Sequence, residues 1–154
     1  MKSIDQWLSE YGESHQNPTN KMVHFVCVPV IFFTVVGLLY CIPLFTLSSG
    51  YLITVAHVVT LLVAIYYCLL SIPLAIGMTL YSIICLLLCQ AIQQATGGNL
   101  LWVSVGLFVL AWIAQFWGHK VEGKKPSFLK DLQYLMIGPA WIMSFLFKKI
   151  GLSV

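Results

Sequence analysis

The sequence predicts an all-α integral membrane helical bundle, and three observations carry that prediction. Residues 22 to 118 contain no Asp, Glu, Lys or Arg. The whole chain of 154 residues is 60% hydrophobic and 8% charged, with mean hydropathy +0.92. An ordinary soluble domain carries about 25% charged residues, and a water-soluble fold this poor in charge would expose large apolar patches. Finally, polar segments bearing histidine flank the apolar block: His15 to His24 on one side, Gln115 to Pro126 on the other. The length suits one membrane domain over residues 1–154.

Each element follows from the order of residues. Ser3 to His15 reads as an amphipathic helix, with Ser3 and Gln6 at capping-box spacing and Ile4, Trp7, Leu8 and Tyr11 on one face. Residues 1–16 are expected to lie in the membrane interface, Trp7 and Tyr11 at headgroup level, or to pack on the bundle. The acidic Asp5, Glu10 and Glu13 argue against a cleaved leader. Asn17-Pro18-Thr19-Asn20 is turn and cap chemistry. A first span is expected at about 22–42, roughly 30 Å at ~1.5 Å per residue, with His24 near its start and a bend at Pro29. Residues 41–50 form an uncharged link. The apolar run from Tyr51 to Ile92 would be about 60 Å as one helix, twice the membrane thickness. Ser71-Ile72-Pro73 splits it into spans at about 51–70 and 74–92. After a Gly97-Gly98 loop comes a fourth span, about 100–118. The apolar segment 132–147 is short and interrupted by Gly138-Pro139, so it is expected to be re-entrant, interfacial or a short fifth crossing.

The lysines predict orientation. Lys2 and Lys21 precede the first span, and Lys120, Lys124, Lys125 and Lys130 follow the fourth, whereas the 43–50 and 93–99 loops have none. The positive-inside rule places the N-terminus and the 119–131 loop in the cytoplasm, with an even number of crossings between them. His15, His24 and His119 are then expected at one cytoplasmic boundary. His57, entering from the opposite face, is expected roughly 20 Å away, as a neutral histidine hydrogen-bonded within the bundle.

Three imidazoles at one membrane face are a candidate metal centre, since imidazole is a good ligand for zinc, iron, copper and nickel. Glu122 lies three residues beyond His119 and would share its helix face, so it is a candidate carboxylate ligand. Tyr11, Asn17, Asn20 and Gln115 are candidates to hold and orient the ligands. Lys120, Lys124 and Lys125 could attract an anionic substrate or anionic lipid headgroups. The five cysteines all lie in apolar stretches, with neither zinc-ribbon nor disulfide spacing. No nucleotide loop, serine triad or nucleic-acid motif is evident.

The residues also carry a resemblance. His15-x-Asn17-Pro18-x-Asn20-x-x-x-His24 followed by Val28-Pro29, then Trp112-x-x-Gln115-Phe116-x-Gly118-His119 with Pro126, resembles the membrane-embedded 2-hydroxy fatty acid dioxygenases from about Trp7 to Phe147. The resemblance implies an Fe(2+)-dependent, dioxygen-consuming alpha-oxidation that shortens a 2-hydroxy fatty acid by one carbon. It implies His15, His24 and His119 as the catalytic, iron-linked residues. Glu122 is spaced slightly differently from the acidic residue of the fungal members, and His57 matches no histidine of the family. The partners implied are the acid, dioxygen and membrane lipids, with no nucleic acid. Two other functions remain open on the residues alone. One is a heme or other metal-binding membrane protein using His24 and His119. The other is a non-catalytic lipid-binding protein.

Overall fold

The computed structural model describes residues 3–123 and 134–151. The described residues form six helices and one hairpin: α1 (Ile4–Glu13), α2 (Pro18–Tyr40), β1 (Pro43–Thr46), β2 (Leu52–Thr54), α3 (Val55–Leu70), α4 (Ile72–Ala95), α5 (Leu100–Glu122) and α6 (Ile137–Lys149). Lys2, Lys124, Lys125, Pro126, Lys130, Asp131 and residues 132–133 lie outside the described residues.

Local chemistry sets the boundaries. Ser3 Oγ accepts from Gln6 N–H at 3.3 Å and Gln6 Oε1 from Ser3 N–H at 3.0 Å, closing the capping box of α1. Asn17 Oδ1 caps α2 by accepting from Thr19 N–H at 2.9 Å, and Pro18 opens that helix where its missing N–H costs nothing. α2 continues through Pro29, whose carbonyl accepts from the Tyr81 hydroxyl at 2.8 Å. Ser71, extended at φ −164°, separates α3 from α4, with Pro73 in the first turn of α4. α5 stops at Gly123, whose φ of +74° is the left-handed conformation that ends many helices.

Three helices, α2, α4 and α5, are long and apolar enough to cross a membrane. Their outer faces are apolar: Leu87 on α4 and Trp102 on α5 are 60% and 71% exposed, a surface suited to lipid rather than water. The expected span at 51–70 is different. A β-hairpin takes its first residues, pairing Thr46 with Leu52 and Phe45 with Ile53, and α3 has 16 residues. At ~1.5 Å per residue that is about 24 Å, short of a ~30 Å hydrocarbon core. Hydropathy cannot tell a short apolar strand from a helix, so the run looked uniform. α6 also departs from expectation. Gly138 and Pro139 do not interrupt it but sit in its first turn, where proline is tolerated. Its 13 residues cover about 20 Å.

α2 and α5 form the most extensive helix pair and run antiparallel. At one end a Cβ on Gly37 would fall 2.3 Å from Ser104 Oγ, and at the other a Cβ on Gly118 would fall 2.6 Å from Asn20 Oδ1. Small residues therefore let the two backbones approach closely at both ends. This seam returns the chain, after α3 and α4, to the end of the bundle where α2 began. α1 and α6 pack together beside that end.

Candidate metal centre

Three segments deliver the imidazoles. His15 is just past the end of α1, His24 is in the second turn of α2, and His119 is in the last turn of α5. All three are buried, at 3%, 1% and 6% exposure. Ring centroids are 4.2 Å apart for His15 and His24, 4.9 Å for His24 and His119, and 5.7 Å for His15 and His119. One ligand nitrogen from each lies within 4.8 Å of the others. That is close to the ~4.2 Å limit for two imidazoles each about 2.1 Å from one ion.

Hydrogen bonds fix how two of the rings are presented. His15 Nδ1 is 2.6 Å from the Tyr11 carbonyl, and His24 Nδ1 is 3.0 Å from the Asn20 carbonyl. A carbonyl only accepts, so each Nδ1 carries the proton and each Nε2 keeps its lone pair. This is the tautomer that suits a metal ligand, and it is set by backbone groups one helical turn upstream. The Tyr11 ring stacks on His15 at 4.2 Å and 18°, and Trp141 of α6 stands 5.5 Å from His15.

Glu122 faces the turn that follows α1. Its carboxylate accepts from Gln16 N–H at 2.8 Å, Asn17 N–H at 2.9 Å and Asn20 Nδ2 at 3.0 Å. It clamps the 14–17 turn, which carries His15, to the end of α5. It is also absent from the metal-ligating group found among the described residues, which holds the three histidines alone. Asn17 and Asn20 are both tied to this clamp. Gln115 is 5% exposed and lines a cleft together with Tyr11, His24, Trp112 and Pro139. Lys120 is exposed on α5.

His57 sits elsewhere. Its Nδ1 accepts from Thr54 N–H at 3.1 Å, so Nε2 carries the proton and donates to the Tyr51 hydroxyl at 3.0 Å. It fastens the hairpin to the start of α3, with Tyr40 at 5.7 Å. His24 and Tyr40 are separated by about 24 Å along α2, so His57 is at the opposite end from the cluster.

Sequence reasoning passed over Trp141 and Tyr134 and read Gly138 only as an interruption; Trp141 stands against His15, and Tyr134 and Gly138 line the cleft beside His24. A Cβ on Gly138 would be 3.1 Å from the Tyr11 hydroxyl. Gly118, immediately before His119 and inside a helix, is a legible signal of close approach.

The chain is 33% identical over 144 residues to the 2-hydroxy-palmitic acid dioxygenase MPO1 of Saccharomyces cerevisiae, covering 92% of this chain and 78% of the yeast protein. No solved structure matches. The family model described as 2-hydroxy-palmitic acid dioxygenase Mpo1-like matches residues 1–150, and the chain belongs to that family.

Proposed function

We propose that this protein is a non-heme Fe(II) dioxygenase that converts 2-hydroxy fatty acids into fatty acids one carbon shorter, with His15, His24 and His119 holding the metal. The observation that carries the reading is the convergence of three buried imidazoles, one of which, His24, lines a cleft, in a chain of this family. Atoms balance for one acid and one dioxygen giving the shortened acid, carbon dioxide and water. The bond between the carboxyl carbon and C2 and the C2–H bond both break, C2 gains a second oxygen to become the new carboxyl carbon, and the four electrons released reduce dioxygen.

Ferrous ion bound there would supply oxygen activation and a Lewis-acidic point for the substrate's carboxylate and 2-hydroxyl. The protein's part is positioning. Tyr11 and Asn20 carbonyls hold the Nδ1 protons of His15 and His24, leaving Nε2 of each to face the ion. A neutral donor set keeps the ion's full positive charge, which favours an anionic chelating substrate. The Glu122 clamp fixes the turn that carries His15. Gln115 offers an amide to the polar head within the cleft, while Tyr11 and Trp112 exclude water. Lys120, exposed on the last turn of α5, draws the carboxylate toward the mouth. The lysine distribution puts this mouth on the cytoplasmic face of a multi-pass membrane protein; a fluorescent protein fused to the N-terminus and dark in the cell would contradict that.

Purified protein is expected to contain iron and to consume oxygen with 2-hydroxypalmitate. His119→Ala should abolish both. Full activity in His119→Ala, or an iron-loaded wild type inert to 2-hydroxy acids, would overturn the proposal. Heme is disfavoured by geometry: with His24 and His119 centroids at 4.9 Å and His15 alongside, no porphyrin plane passes between them. A Soret band would reverse that judgement.

A further inference from the structure

A second cleft lies beyond the first, lined by Phe32, Val36, Leu39, Thr60, Val63 and Met136. Both clefts are bounded by Leu135. They also share one face of α2. His24, Val28 and Ile31 line the first, and Phe32, Val36 and Leu39 continue the same helical stripe along the second. The walls of the second cleft are apolar. Its one hydroxyl, Thr60 Oγ1, is turned away to the Ala56 and His57 carbonyls at 2.8 and 3.1 Å. Leu135 is held at the junction because the buried Tyr67 donates its hydroxyl to the neighbouring Met136 carbonyl.

The geometry points to a single channel that takes the unbranched alkyl tail of the 2-hydroxy acid, with Leu135 at its waist and Leu39 and Val63 at its far end, so that the protein reads chain length. This rests on the functional reading above. From His24 to Leu39 the stripe runs about 22 Å at 1.5 Å per residue. Acyl chains filling one leaflet extend about 15 Å, half of a ~30 Å hydrocarbon core. A long fatty acid with its head at the imidazoles therefore reaches the second cleft, whereas a short one stays in the first. Each methylene buried contributes about a fourfold preference.

Two experiments test the channel. Wild-type protein in lipid nanodiscs is photolabelled with a 2-hydroxy fatty acid carrying a diazirine at its terminal carbon, and the labelled peptides are mapped. Labelling of 35–39 and 59–63 that unlabelled 2-hydroxypalmitate displaces is expected. Undisplaced labelling confined to lipid-facing residues elsewhere, such as Leu80 and Leu87, would overturn the channel. In the second experiment, Val63→Phe fills the space of about two methylenes, which should lower the kcat/KM ratio of 2-hydroxypalmitate to 2-hydroxyoctanoate roughly 15-fold. Leu39→Ala should shift the preference toward longer acids. Wild-type ratios in both variants would refute the inference and leave the dioxygenase reading standing. Correct labelling without oxygen uptake on any 2-hydroxy acid would do the reverse.

Discussion

Gly118 and Gly106 lie on the same helix, and replacing each by alanine should have opposite effects. Alanine favours a helix over glycine by about 1 kcal/mol. At Gly106 a new Cβ meets nothing within 4 Å, so that gain stands alone. At Gly118 the Cβ would fall 2.6 Å from Asn20 Oδ1 and 3.3 Å from Val23 Cγ1. Asn20 cannot swing aside freely, because its Nδ2 donates to Glu122 Oε2 at 3.0 Å. Overpacking costs about 1–3 kcal/mol, and losing a hydrogen bond to a carboxylate about 1.5–3 kcal/mol. Less the helix gain, Gly118→Ala should destabilise by about 3 kcal/mol. At about 2–4 °C per kcal/mol for a chain of this size, Tm should drop by roughly 6–12 °C. Gly106→Ala should raise it by about 2–4 °C on the same scale. Thermal unfolding in detergent, followed by circular dichroism, reads both. The clash also pushes α2 from α5 beside His24 and His119, so Gly118→Ala should weaken iron binding about 10-fold, the lower end for support groups around a metal. Equal Tm values for the two variants would refute the close-packed seam, and with it the reason the imidazoles converge.

Other outcomes follow from the same geometry. Glu122→Gln removes a charged acceptor facing Gln16, Asn17 and Asn20 donors; after discounting for solvent, stability should fall by about 1–2 kcal/mol while iron stoichiometry at saturating metal stays as in wild type. Loss of iron on elemental analysis would instead make Glu122 a ligand. His57→Ala loosens the hairpin from α3 and should cost about 1 kcal/mol, with iron content unchanged, because the residue is at the far end of the bundle. Adding ferrous ion at 100 times its Kd to stripped protein should stabilise it by about 2.7 kcal/mol and raise Tm by roughly 5–10 °C. In His119→Ala that rise should vanish; a persisting shift would place the ion elsewhere.

What the sequence made legible are the constraints that act within one helix or on the chain as a whole. The uncharged interval from 22 to 118 names the solvent of the outer faces. Ser3, Asn17, Ser71 and Gly123 mark ends because caps and left-handed glycines answer to local hydrogen bonding. The three histidines were found because a chain that leaves one face and returns to it must bring His24 and His119 to the same end. The hairpin at 43–54 was not legible, since strand and helix are equally apolar there.

What stayed hidden are constraints between helices. Glu122 shares a face with His119, so ligand and clamp look alike in sequence. They separate only when the Gln16 and Asn17 N–H groups, some hundred residues away, are seen to take both carboxylate oxygens. Trp141 and Gly138 belong to a segment whose apolar pattern fits a membrane dip as well as a lid over the cluster. The consequence is chemical. With the carboxylate committed to the turn, the donors left for an ion are neutral imidazoles. A neutral triad leaves charge balance to the substrate, so an acid that chelates through carboxylate and 2-hydroxyl should bind its metal-loaded form far better than a plain fatty acid of equal length. Equal affinity for 2-hydroxypalmitate and palmitate in iron-loaded protein would break that chain of reasoning at its last link.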